Sequence, residues 1–218
     1  PSGVPSHDTF ARVFRLLDAQ QSERACLQWL QQLAGQVQGT VAIDGKSVRG
    51  SRKGNGTKAL HLVSAWAADM GLLLGQRKVD GKSNEIRAIP ELLSMLHLKG
   101  CTVTIDAIGC QKSIARQLQE RGADYVLSLK GNQKHMHAVV QKHFEGSSTT
   151  EPGCSLYSER FSGHGRKELR SYRVSPIAQA LARAAAHWPA LSCIVQVQRH
   201  RQQGGQAPTE GGRRRTCG

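Results

Sequence analysis

Residues 102–133 read TVTIDAIGCQKSIARQLQERGADYVLSLKGNQ. TVTID alternates β-branched residues into an aspartate, QKSIARQLQERG carries a helical pattern, and DYVLSLK returns to strand alternation. A strand, a helix and a second strand in that order give parallel strands joined by a right-handed crossover. Another helix, NQKHMHAVVQKHF, follows directly. Upstream, TVAID, ALHLVSAWAAD and LLLGQRKVD are short apolar runs separated by Gly-containing turns such as GSRKGNGTK, which predicts an antiparallel meander of three strands. Between meander and crossover, SNEIRAIPELLSMLHLKG predicts a helix that Ser83 caps. Pro90 either kinks this helix or starts a second helical segment.

The ends are of other kinds. In PSHDTFARVFRLLD, residues Phe10, Val13, Phe14 and Leu17 share a helical stripe, with Ser6 or Asp8 as the cap. SERACLQWLQQLAG repeats the pattern through Cys26, Trp29, Leu30 and Leu33, capped by Ser22 and closed by Gly35. These predict a helical hairpin over residues 1–38, either a DNA-contacting pair or, the more common use, one that packs on the following domain. Beyond Glu145 the chain turns to Gly, Ser and Thr, and LYSERFS and KELRSYRV predict a β-rich insertion over 146–175. The Ala-rich helix IAQALARAAAHW and a last apolar run, SCIVQVQ, come next. RHRQQGGQAPTEGGRRRTCG lacks core periodicity, so residues 200–218 are expected to be disordered.

The chain has 218 residues, enough for one substantial core with a satellite. Its 30 Lys and Arg against 16 Asp and Glu give a net charge of +14, which favours a polyanionic partner such as DNA or RNA. Six cysteines without a C-x-x-C pair indicate neither a zinc ribbon nor a disulfide framework and suit a reducing cytoplasm. No apolar run approaches the roughly 18 residues of a membrane span, so no membrane partner is expected.

Three antiparallel strands, a helix, then parallel strands with helices is the element order of an α/β ribonuclease-H-like core, assigned here to residues 39–218. In that order the first and fourth strands are neighbours, about 4.8 Å apart. Asp44, in VAIDGKSVRG, and Asp106, in TVTIDAIGC, then bring two carboxylates together, and they repel unless a cation or a shared proton intervenes. Mg2+ takes hard oxygen ligands from one or two carboxylates, and a pair of such ions can serve an in-line phosphodiester displacement. A lone aspartate after a strand is more often a turn or N-cap residue; two in matching context point to a site.

The runs AIDGKSVRGS, LHLVSAWAADMGLLLGQRKVDGKSNEIRAIPELL, TVTIDAIGCQKSIARQLQERGADYVLSLKGNQ and GHGRKELR resemble the H-repeat-associated, ISAs-type insertion-sequence transposases, from GVPSHDTF to about Pro208. The resemblance implies a DDE enzyme of bacterial cytoplasm, nucleoid-associated on DNA, that cuts and joins DNA with two Mg2+ ions held by two aspartates and a glutamate. Mn2+ is an alternative ion. By motif Asp44 resembles the first acid and Asp106 the second, both metal ligands. The family's third acid lies in an R-x-H-W-x-I-E-N segment that this sequence does not contain. The expectation is a copy truncated at its end, by a frameshift or otherwise, with little strand-transfer activity. Glu168 matches a family motif but is not the third acid. Double-stranded DNA, as element ends and target, is the implied partner, with a homo-oligomer compatible.

Around the two acids, Lys46, Arg49, Arg52 and Lys53 supply cations for phosphates. Lys82 and Asn84 stand before a helix start, where backbone amides favour anions, with Glu85 as a partner behind the site or a simple helix N-terminal acid. Lys130, Asn132 and Gln133 follow a strand parallel to that of Asp106, belong on the same edge and are taken as DNA contacts; Gln111 is also close to Asp106. His164 and Arg166 form a basic turn, with Arg166 a further DNA contact. Two other readings stand beside the enzyme: a noncatalytic DNA-binding transposase remnant, and an unrelated two-aspartate metal hydrolase, which the basic excess disfavours.

Overall fold

The computed structural model describes residues 3–34, 37–49, 51, 59–79, 84–146, 153–163, 166–177, 181–203 and 215–217. The meander forms as expected: β1 (Gly39–Ser47), β2 (His61–Ala67) and β3 (Leu72–Val79) pair antiparallel. β4 (Cys101–Ile105) then pairs parallel with β1, Ile43 opposite Ile105, and β5 (Asp124–Leu129) pairs parallel with β4. The result is a mixed five-stranded sheet, β3-β2-β1-β4-β5. It continues through β9 (Arg215–Cys217) into an antiparallel extension, β8 (Cys193–Gln203), β7 (Arg166–Pro176) and β6 (Ser155–Gly163).

Burial in the five-stranded part is one-sided, because alternate residues of a strand point to opposite faces. Val41, Ile43, Val63, Ala65, Val103, Ile105, Leu127 and Leu129 are buried and join one core cluster. Three helices supply its other wall: α3 (Glu85–Ser94) through Ile89, Leu92 and Leu93, α4 (Lys112–Glu120) through Ile114 and Leu118, and α5 (Lys134–Gly146) through Met136, Val140 and Phe144. On the opposite face Ala42, Ser64, Thr102 and Thr104 are half-buried, while Trp66 and Val126 are exposed.

Several local expectations are corrected. Helix α2 (Ala19–Ala34) starts earlier than the Ser22 cap requires: Asp18 caps it, its Oδ1 accepting from Gln21 N–H at 2.7 Å. Ser83 lies outside the described residues, and the position preceding α3 is Asn84, whose side chain makes no capping bond. Of the two readings of Pro90, the start of a second helical segment does not hold, because Pro90 lies inside α3.

Helix α1 (His7–Leu16) is capped by Ser6, one of the two candidates, but has no buried residue. Its stripe of Phe10, Val13, Phe14 and Leu17 is exposed, so the hairpin does not dock through it; among the described side chains Arg77 of β3 donates to Glu23 of α2 at 2.8 Å, while Leu30 and Leu33 of the α2 stripe lie outside the described side chains. The Ala-rich helix is described only from residue 181, with α6 at Ala182–Ala185. Of the tail expected to be disordered, residues 200–203 belong to β8 and 215–217 form β9 between β5 and β8.

Candidate active site

The parallel pairing of β1 with β4 places the two aspartates. Ile43 and Ile105 are register partners and both are buried; the next residues, Asp44 and Asp106, are exposed and so share the opposite face. Asp106 keeps an extended backbone (φ −69°, ψ −179°) and opens a 3-10 turn, 107–109, its Oδ1 accepting from Ile108 N–H at 3.0 Å. The turn-residue reading of Asp106 is therefore correct as far as it goes, and it coexists with proximity to Asp44.

The polar residues named from LKGNQ hold this turn. Asn132 Nδ2 donates to the Ala107 carbonyl at 2.6 Å. Gln133 Nε2 donates to the Cys110 carbonyl at 2.9 Å and to Gln111 Oε1 at 3.3 Å. Their amide hydrogens are thus engaged within the protein, bracing the chain that follows Asp106. Gly109 permits the tight turn: a Cβ there would stand 2.3 Å from Ile105 Cγ2.

The cations are arranged unevenly. Lys46, two residues beyond Asp44 on the same face of β1, is exposed, as are Arg49 just past the strand and Lys130 past β5. Asn84 is exposed at the start of α3. Lys82, Arg52, Lys53 and His164 lie outside the described residues. Arg166 opens β7, opposite Gly163 and Gln203, with β5, β9 and β8 between its strand and that of Asp106. Four strand spacings amount to roughly 19 Å, so the topology does not bring Arg166 to the aspartates.

Among the described residues no third Asp, Glu, His or Cys joins the two aspartates in a group able to hold a metal ion. Glu168 is elsewhere, on β7, with Arg170 Nε at 2.5 Å, Arg201 Nε at 2.9 Å and Arg199 Nε at 3.1 Å. Hydrogen bonds from Arg201 and then Arg170 hold its pKa below the ordinary value of 4.5. A lowered native pKa contributes stability that is complete above that value and lost as pH falls through the native one. The β6–β8 extension should loosen below about pH 4.5, and Glu168→Gln should remove that acid-side loss. Acid titration of hydrogen exchange in β7 and β8 measures both.

Behind Asp44 lies a group that sequence reading named only in part. His61 of β2 and Glu85 of α3 are each 4% exposed. His61 Nε2 is hydrogen-bonded to Glu85 Oε1, and His61 Nδ1 lies 2.9 Å from Ser47 Oγ. The one sequence signal was Gly45 at an inward position of β1, between Ile43 and Ser47.

Comparison with known proteins shows the family. Residues 35–183 match the family model described as a transposase DDE domain. An uncharacterized protein in the dhlA 3' region of Xanthobacter autotrophicus is 44% identical over 212 residues, covering 96% of this chain and 71% of that protein. "Putative transposase YncI" of Escherichia coli K12 is 42% identical over 182 residues, 83% of this chain and 73% of its own. "H repeat-associated putative transposase YbfD" of the same strain is 38% identical over 186 residues, 83% of this chain and 72% of its own. The resemblance to H-repeat-associated transposases is borne out.

Proposed function

Because this chain belongs to the family of insertion-sequence transposases with a DDE domain, we propose that Asp44 and Asp106 are the metal ligands of a DNA strand cleavage and transfer site. The observation that carries this reading is their placement as neighbours on one face, one residue beyond the paired isoleucines. The strand order β3-β2-β1-β4-β5 supports a ribonuclease-H-like core.

Two carboxylates on one exposed face suit Mg2+, which prefers hard oxygen donors and completes its shell with water and substrate phosphate. Bound there, Mg2+, or Mn2+ in its place, supplies charge stabilisation for an in-line phosphodiester displacement. The chain's own contribution is to position. Asp106 is fixed by its bond to Ile108 N–H, and the turn behind it by Asn132 and Gln133. Lys46, Arg49 and Lys130 meet the phosphates of double-stranded DNA flanking the site, and Asn84 extends that contact. Arg166 serves DNA beyond the immediate site, and Lys82, outside the described residues, is kept as a DNA contact on its sequence context alone.

A noncatalytic reading is favoured by one observation, that no third carboxylate joins the pair among the described residues. With two ligands of three, ions and phosphate are held less firmly, and a misplacement of about 1 Å costs on the order of 100-fold in rate. This chain alone is therefore expected to bind duplex DNA well and to cleave it weakly.

Binding of duplex DNA at increasing salt tests the first part. Four phosphate contacts by Lys46, Arg49, Lys130 and Arg166 predict a slope of log affinity on log salt of about −4. A slope near zero would leave no place for duplex DNA. Mg2+-dependent cleavage of insertion-sequence ends tests the second: activity well above that of an Asp44→Ala/Asp106→Ala control refutes the noncatalytic reading.

A further inference from the structure

We propose that the buried pair Glu85 and His61, continued by the exposed Ser47, forms a positioning relay that braces, from the reverse face of the sheet, the segment of β1 that carries Asp44, with Gly45 as the gap that admits the Glu85 carboxylate. Its consequence for metal binding rests on Asp44 being a metal ligand.

Support for β1 is asymmetric at this point. Pairing with β4 ends at Ile43 opposite Ile105, while pairing with β2 runs on to Ser47 opposite His61. Among the described residues the strand from Asp44 onward is thus paired on one side, with β2, although the proposed ligand needs a fixed backbone. The relay lies beneath that stretch. Val41, Ile43, Gly45 and Ser47 alternate with Asp44, so Gly45 and Ser47 face the core side while the Asp44 carboxylate faces away.

A Cβ at Gly45 would lie 2.6 Å from Cδ and Oε1 of Glu85 and 2.9 Å from Oε2. The peptide beside Asp44 therefore rests directly on the carboxylate. A carboxylate only accepts, so His61 Nε2–H donates to Glu85 Oε1 and Nδ1 meets the Ser47 hydroxyl. One hydrogen-bonded chain thereby links α3, β2 and the far end of β1.

Its composition is informative. Val63, Val79 and Ile89 show that this layer is otherwise apolar. A buried charged or polar pair there is often no more stable than well-packed hydrophobic residues of the same volume. What an apolar pair cannot supply is directional anchorage of a strand end. Groups of this kind behind a metal ligand typically affect metal affinity by about 10–100-fold.

The test compares the wild-type chain with Gly45→Ala and with the double variant Glu85→Leu/His61→Phe, which removes the relay without leaving an unpaired buried group. In metal-free buffer, amide hydrogen exchange at residues 44–48 should rise at least about tenfold in both variants, while residues 102–105 and 125–129 follow the thermal midpoint alone. Unchanged exchange at 44–48, or a rise shared evenly by all core strands, overturns the relay. Mn2+ affinity read by electron paramagnetic resonance should then fall about 10–100-fold in the double variant, even with its thermal midpoint at the wild-type value. Wild-type affinity in that variant overturns the positioning role. If the wild-type chain takes up no Mn2+, or Asp44→Asn takes it up equally well, the metal-ligand reading of Asp44 falls, and the exchange comparison still decides the relay.

Discussion

Asp44→Asn and Asp106→Asn should each lower Mn2+ or Mg2+ affinity by more than about 100-fold, a larger loss than removal of a group behind the ligands brings. Both side chains are exposed, and both substitutions keep the shape of the residue. In Asp106→Asn the side-chain amide oxygen can still accept from Ile108 N–H, so the turn after β4 stays closed. Each change also removes one of two like charges on adjacent strands, so the metal-free thermal midpoint should stay level or rise slightly. Isothermal titration with the metal, beside a thermal melt without it, reads both quantities. Unchanged affinity would dissociate the aspartates from metal binding, and a fall in the metal-free midpoint would make them structural.

Leu92→Ala should give the largest loss of stability. Leu92 is fully buried in α3, the helix that carries Glu85, and belongs to the cluster shared with β1, β2 and β4. Truncation removes apolar contact and leaves a cavity whose walls relax only in part, a cost of about 2–5 kcal/mol in comparable cases, or on the order of 10 °C in the melting midpoint of a chain this size. Chemical denaturation checks the size. The contrast with the aspartate variants is diagnostic, because Leu92→Ala lowers stability across the core whereas Asp44→Asn acts on the ion alone.

Much of the placement of the candidate residues was legible because it rests on short-range pattern. Alternation in VAID and TVTID fixed which residues enter the core and placed each aspartate one step beyond the last buried one. The strand–helix–strand order implied parallel neighbours, and β1, β4 and β5 are so arranged. The stripe of α1 misled, since amphipathic periodicity records a helix able to bury one face without naming a surface to receive it; Phe14 remains 69% exposed. Asn132 and Gln133 were placed at the correct edge, but their donors meet backbone carbonyls far back along the chain, which local reading does not reveal.

The sequence by itself determined the strongly basic balance, the family, and two strands that each lead into an aspartate, because composition and period-two alternation are local properties; that β1 runs on past Asp44 to Ser47 was not legible, since it depends on pairing with β2. Tertiary structure decided that β4 lies beside β1 while β2 and β3 continue to the other side, which turns two separated aspartates into neighbours. It also decided that Glu85, His61 and Ser47 meet beneath Gly45, and that Arg166 stands several strands away. The physical reason is common to all of these. Strand pairing and the docking of a helix on a sheet depend on contacts between distant residues, whose register no single segment of the chain encodes.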